Sequence, residues 1–241
     1  MQKYFASISN NNIILNEDDK HHLLHVMRSK KGDNIFAIEN KKMYLGEIKN
    51  VNPLKIEIIK EVINDRELKK DLTLFLCLPK GDKIDFIIQK ATELGVKKLI
   101  LVKSKRSINK MNNDDFDRKL VRYNKIIKEA SEQCGRSELM EIHGIVCLEK
   151  LDSSLLSDVN LIANENKSGE TGQINKFLTS NSFSSVSIFI GPEGGFDSKE
   201  IEYLHKLSFK DVSLGKRILR LETAAVYALS IIGYFLEREN D

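Results

Sequence analysis

No apolar run in the 241 residues is long enough to cross a membrane. The opening residues, Met1-Gln2-Lys3-Tyr4-Phe5-Ala6-Ser7, lack the apolar core of a signal peptide, so a cytoplasmic location is expected. Cysteine is scarce. Cys77, Cys134 and Cys147 have neither metal-ligand spacing nor an even number for pairing. Cys77 lies in an apolar run and reads as a small core residue, and a catalytic thiol at Cys134 is the minor reading. Two glycine signatures are also missing. Without G-x-x-x-x-G-K-[ST] there is no P-loop, and without G-x-G-x-x-G there is no ordinary dinucleotide fingerprint.

What the chain does have is a pair of glycine-bearing segments near its C-terminus. Gly191-Pro192-Glu193-Gly194-Gly195-Phe196 follows the apolar run Val186 to Ile190. Leu214-Gly215-Lys216-Arg217-Ile218-Leu219-Arg220-Leu221-Glu222-Thr223-Ala224-Ala225 begins 18 positions after Phe196. Each leaves a β-like run, passes through glycine and leads to a helical pattern. Taken alone, the first is equally readable as a turn. Paired at neighbouring strand ends, the two enclose space for a flat, polar small molecule, because ligands of α/β sheets sit there.

Composition describes a water-soluble globular protein with one or two domains: 41% hydrophobic and 30% charged residues. The net charge of +3 is uneven. Residues 1–70 hold 13 basic and 10 acidic side chains, and the remainder holds 25 of each. The first part is thus mildly basic and suited to phosphates, although a solvated surface has the same look.

Residues 1–70 read as a small β-rich unit. Ile13 to Leu15 is apolar, and Asn16-Glu17-Asp18-Asp19 opens a helix with acidic residues at its positive end. Strands are expected at Asn34 to Glu39, Lys42 to Ile48 and Lys55 to Glu61, and a compact barrel accommodates them. Residues 64–70 are charged and linker-like. From residue 71 to 241 strands and helices alternate, predicting an α/β domain. Leu72 to Leu78 is a continuous apolar run, as in a parallel strand covered on both faces. Further strands are expected at Lys98 to Val102, Val159 to Ala163, Val186 to Ile190 and Val212 to Leu214. Asp197 and Glu200 have capping-box spacing.

Several segments carry a family resemblance over nearly the whole chain. They are His22-Leu23-Leu24-His25-Val26-Met27-Arg28 through Gly32-Asp33; Lys80-Gly81-Asp82-Lys83 through Gln89-Lys90-Ala91-Thr92-Glu93-Leu94-Gly95-Val96; Ser104-Lys105-Arg106-Ser107; Glu132-Gln133-Cys134-Gly135-Arg136; and the two glycine segments. Together they resemble the RsmE family of SPOUT-class RNA methyltransferases. The resemblance implies an N-terminal PUA-like β-barrel for RNA binding (1–70) and a C-terminal SPOUT methyltransferase domain (71–241), a knotted parallel sheet. It implies a homodimer that methylates uridine N3 in small-subunit (16S) ribosomal RNA, free or in the assembled subunit, with S-adenosylmethionine as cofactor. Lys105, Met140 and Leu221 depart from the family pattern, which has glutamate, a proline nearby and threonine there.

The resemblance also assigns residues. Asn164, Glu165, Gly191, Glu193, Gly194, Gly195, Leu214, Gly215, Ile218 and Leu219 are expected to bind the cofactor. His22, Arg28, Lys30, Lys90 and Arg106 are expected to meet RNA. Two bland readings stand beside these: Lys90 pairing with Glu93 one helical turn away, and Arg106 pairing with Glu132. His21 and His25 are also one turn apart but lack a partner that completes a metal site, so no metal is expected. Methylation at N3 requires loss of a proton, which calls for a cation beside the developing uracil anion and a proton acceptor. Arg220 and Arg136 are candidates for the cation and Glu222 for the acceptor, with helix capping as the other reading of Glu222. The rival functions are a ribose 2′-O-methyltransferase on the same fold and a non-catalytic RNA-binding assembly factor.

Overall fold

The computed structural model describes residues 1–164, 173–179 and 182–238. The chain divides into two compact units. The first comprises residues 1–67 and 128–139, and the second comprises 68–127 and 140–241.

The first unit is built on a six-stranded mixed sheet. Its strands are β1 (Lys3–Phe5), β2 (Ser7–Ser9), β3 (Asn12–Ile14), β4 (Asn34–Glu39), β5 (Lys42–Val51) and β6 (Leu54–Val62), in the order β1-β4-β5-β6-β3-β2. β1 runs parallel to β4, and the other pairings are antiparallel. Asn40 and Lys41 join β4 to β5 with φ of 49° and 67°, the two positive angles of a tight hairpin turn. Tyr4, Ile13, Leu23, Ile35, Ile48 and Ile56 form the core. Short helix α1 (Glu17–His21) starts where the acidic run predicts, with Asn16 accepting the Asp19 N–H at 2.9 Å. A π-helical turn, His22–Val26, follows it.

Residues 128–139 join this unit through polar ties that no sequence pattern announces. Lys128 Nζ sits 2.5 Å from buried Asp19 and 3.2 Å from Glu132. Glu132 accepts the Phe5 N–H at 3.0 Å. Arg136 pairs with Glu67 at 3.0 Å, and the N–H groups of Ser137 and Glu138 donate to the same carboxylate. The sequence draws a single boundary at residue 70, whereas this division falls after Glu67 and gives 128–139 to the first unit.

Among its described residues the second unit holds six parallel strands: β7 (Asp71–Cys77), β8 (Lys98–Lys103), β9 (Glu141–Cys147), β10 (Val159–Ala163), β11 (Ser185–Ile190) and β12 (Lys210–Val212). Their order is β12-β10-β11-β7-β8-β9. Side chains alternate across a strand, and β7 shows why its run is apolar throughout. Leu72, Leu74 and Leu76 face one core, and Phe75 and Cys77 face another. The first core also takes up residues of α2 (Lys83–Glu93), α3 (Asn113–Cys134), α4 (Gln173–Thr179) and α6 (Leu221–Arg238). The second is covered by α5 (Ser198–Lys206) and two short helical turns at 148–150 and 153–155, around stacked rings of Phe75 and Phe189.

Three strands escaped the periodicity. β1 and β2 have three residues each, and β9 is an edge strand of half-exposed residues broken by Gly144. β12 ends at Val212, where the sequence starts it, because Ser213 and Leu214 already turn toward the second glycine loop.

Candidate active site

The carboxyl ends of β10, β11 and β12 open onto one pocket of about 490 Å³. Its walls include Ala163 and Asn164 after β10, Gly191, Glu193 and Gly195 after β11, and Leu214, Gly215, Ile218 and Leu219 after β12. Ala224 of α6 and Phe196 line it as well. Thus the two glycine segments, distant in sequence, wall the same space. The strand order is the cause: β10 lies between β11 and β12, so their exits flank its own.

Glycine is required where the loops are tightest. A Cβ at Gly191 would stand 2.6 Å from the Phe196 ring. Gly215 has φ +109°, a conformation side chains disfavour, and its N–H bonds Ser213 Oγ at 3.1 Å. Gly194 is different. Its Cβ position faces Arg106, 3.4 Å away, and it does not line the pocket. Ile218 stands at the lip, 83% exposed. Glu165 lies outside the described residues. Asn164 donates to Asp211 at 2.8 Å, and Asp211 also meets His205 at 2.9 Å.

Polar side chains tie the first glycine loop to its surroundings. Asp197 and Glu200 make the expected capping box at the start of α5. The same Glu200 accepts the Lys105 N–H at 2.7 Å. Arg106 donates to the carbonyls of Gly194 and Phe196, at 3.2 and 3.3 Å, and stands 3.6 Å from Asp197. This guanidinium is directed to the first glycine loop, and Glu132 is held by Lys128 and Phe5 instead.

Glu222 occupies the first turn of α6, between the pocket-lining residues Leu221 and Ala224, and Ala224 N–H donates to the Arg220 carbonyl at 2.8 Å. Lys83 Nζ lies 2.9 Å from Glu222 and 3.5 Å from Glu193. Burial pushes the Glu222 carboxyl up, but its own N–H, Lys83 and Arg220 outweigh burial and hold it below the usual carboxylate range. The Glu222 bond raises Lys83 above the ordinary lysine range. Arg220 is exposed. Sequence reasoning passed over Lys83 as a site residue even though it stands inside the Lys80-Gly81-Asp82-Lys83 motif. Lys216 and Arg217, exposed cations lining the pocket, were missed as well.

The residues assigned to RNA divide differently. Arg28 and Lys30 are exposed in the first unit, and Arg28 holds a positive φ of 54°. The Lys30 N–H is fixed by Asp33 at 2.7 Å. His22 Nδ1 pairs with the Tyr4 hydroxyl at 2.9 Å. Lys90 bonds both carboxylate oxygens of Glu93, at 2.8 and 2.9 Å, the bland reading of that pair. Arg136 is buried, and its ion pair with Glu67 gives it a structural task.

Residues 66–233 match the RNA methyltransferase domain family, and residues 15–61 match the RNA methyltransferase PUA domain. The ribosomal RNA small subunit methyltransferase E of Bacillus subtilis is 33% identical over 250 residues, covering 98% of each chain. This chain belongs to the RsmE family. A second family member, from Mesomycoplasma hyopneumoniae, is 34% identical and covers 83% of this chain and 85% of its own. The crystal structure of the RsmE protein of Neisseria gonorrhoeae bound to S-adenosyl methionine shares 27% identity, with a TM-score of 0.82 over 97% of both chains. The expected RsmE fold, a SPOUT-class parallel α/β sheet with a PUA-like domain, is therefore the fold found here.

Proposed function

We propose that this protein methylates N3 of a uridine in small-subunit (16S) ribosomal RNA, with S-adenosylmethionine as methyl donor. The observation that carries the reading is the pocket at the β10–β12 exits, walled by both glycine loops. Its volume falls within the roughly 300–1,000 Å³ of small-molecule sites. Its lining suits the donor: Leu214, Leu219 and Ala224 offer apolar surface for adenine, while Asn164, Glu193 and loop backbone offer polar partners. S-adenosylmethionine supplies the electrophilic methyl group when bound.

The chain's own residues supply the rest. Gly191 and Gly215 let backbone form the pocket wall closely. Glu222, held ionised, takes the uracil N3 proton as general base, and Arg220 stabilises the uracil anion so formed. Arg28 and Lys30 hold phosphates of the RNA. The active form is a two-fold homodimer. Tyr227 and Tyr234 support this, being exposed at 43% and 61% and lying seven residues apart on one side of α6. The enzyme works in the cytoplasm, on ribosomal RNA or the assembled small subunit.

The decisive experiment maps methylated nucleotides in small-subunit RNA from cells with and without the protein. The expected outcome is one uridine whose N3 methyl is lost with the gene and restored by the purified protein and S-adenosylmethionine. Appearance of the methyl on a ribose 2′ oxygen would support the rival enzyme. Failure of the full chain to bind S-adenosylmethionine by calorimetry would leave only the assembly-factor reading.

A further inference from the structure

Three segments meet at Lys83. The residue lies in the first turn of α2, and its ammonium lies between the carboxylate of pocket-lining Glu193 and that of Glu222, whose helix lines the pocket with Leu221 and Ala224. Glu222 belongs to α6 and is 2.9 Å away, while Glu193 belongs to the first glycine loop and is 3.5 Å away. Glu193 is also held at 3.0 Å by the backbone N–H of Lys80, three residues before Lys83. All three side chains are partly covered, at 33%, 25% and 20% exposure for Lys83, Glu193 and Glu222. Partial burial makes such a pair stronger than an open surface pair, and makes an uncompensated member more costly.

The two carboxylates repel one another unless a cation stands between them. Without one, the glycine loop and the start of α6 are pushed apart, and these are the two sides that must close on a ligand. We propose that Lys83 is a positioning residue that sets the width of the cofactor pocket by clamping Glu193 to Glu222. The proposal rests on the reading that this pocket takes S-adenosylmethionine, and it adds a residue to which that reading gives no role. The charged groups facing Glu222 are Lys83 from α2 and Arg220 two residues earlier. Glu193 faces Lys83 and the Lys80 N–H.

The test uses the full chain and S-adenosylhomocysteine, which lacks the sulfonium charge. Changes in affinity then report pocket geometry rather than attraction of a cation to the carboxylates. Wild-type protein that fails to bind the probe or S-adenosylmethionine removes the cofactor reading itself. Given wild-type binding, Lys83→Met should weaken the probe at least tenfold at pH 7.5, and Lys83→Arg should stay within about threefold of wild type. Lowering the pH to 5.5 should restore part of the Lys83→Met loss. Two carboxylates without their cation take up a proton more readily, and protonation ends their repulsion. In a Glu193→Gln, Glu222→Gln background, Lys83→Met should have less than a threefold effect. The proposal is overturned by wild-type affinity in Lys83→Met, or by a loss that is the same at both pH values and undiminished in the double-glutamine background. If Lys83→Met does not fold, as judged by its near-ultraviolet circular dichroism, Lys83→Gln, which keeps a polar end but no charge, takes its place. It should weaken the probe at least threefold, and an unchanged affinity overturns the clamp.

Discussion

Arg106 donates to the carbonyl oxygen of Gly194 at 3.2 Å, so a cation expected to meet RNA holds the backbone of a loop that walls the pocket. The fork also reaches the Phe196 carbonyl, and together these bonds fix the curve of residues 194–196. Replacing Arg106 by alanine is expected to weaken S-adenosylmethionine about tenfold, equivalent to about 1.4 kcal/mol. RNA affinity should change less. Isothermal calorimetry beside RNA titration checks this, and the reverse ordering of the two losses would return Arg106 to the RNA.

Arg28 and Lys30 are exposed in the first unit and do not line the pocket at the β10–β12 exits. Changing both to alanine should weaken RNA binding and flatten its salt dependence. For a single strand, every phosphate left without its cation lowers the slope of log K against log salt by about 0.7. Cofactor affinity should remain that of wild type. An unaltered slope means that neither side chain touches phosphate.

Arg220 has an exposed guanidinium beside the first turn of α6. If it stabilises the uracil anion, Arg220→Ala should slow methyl transfer about a hundredfold at saturating RNA. Single-turnover rates measure this directly. A raised RNA dissociation constant with an intact saturated rate makes Arg220 a residue that only positions the substrate.

Glu67 joins the end of the β-rich segment to residues 136–138, bonding the Arg136 guanidinium and two backbone N–H groups. Glu67→Ala removes the acceptor shared by the Arg136 guanidinium and two backbone N–H groups and should cost about 2 kcal/mol in unfolding free energy. Urea denaturation measures it. A loss below about 0.5 kcal/mol would show that the tie contributes little.

Glu222 gives a pH test with a defined sign. Burial acts to raise its pKa, but its own N–H, Lys83 and Arg220 prevail and lower it. A lowered carboxylate pKa contributes stability that is present above the unfolded value, about 4.3, and lost as pH falls through the folded value. The stability difference between wild type and Glu222→Gln should therefore be constant above about pH 5 and shrink below about pH 4. A difference that grows on acidification reverses the sign and the assigned cause.

Much of the fold was legible because local patterns and global packing agree. The unbroken apolar run at β7 specifies a strand covered on both faces, and the structure divides its residues between two cores. The run at Val159 to Ala163 is β10 to the residue, and the Asp197–Glu200 spacing is a capping box. Such features depend on neighbours one to four positions away. Short edge strands such as β1 and β9 are held by their partners instead, so composition leaves them unmarked.

The sequence by itself determined the α/β pattern, the two glycine loops and the family to which they belong. Most of the residues named for the cofactor do line one pocket, because strand ends followed by glycine are a local property. Only the tertiary structure decided what each charge does. Arg106 faces a loop 88 residues away, Arg136 pairs with a glutamate 69 residues earlier, and Lys83 meets Glu193 and Glu222. A charged side chain is placed by whichever opposite charge or carbonyl the folded backbone brings within about 3 Å. That distance is set by strand order, and strand order is not written in any single segment.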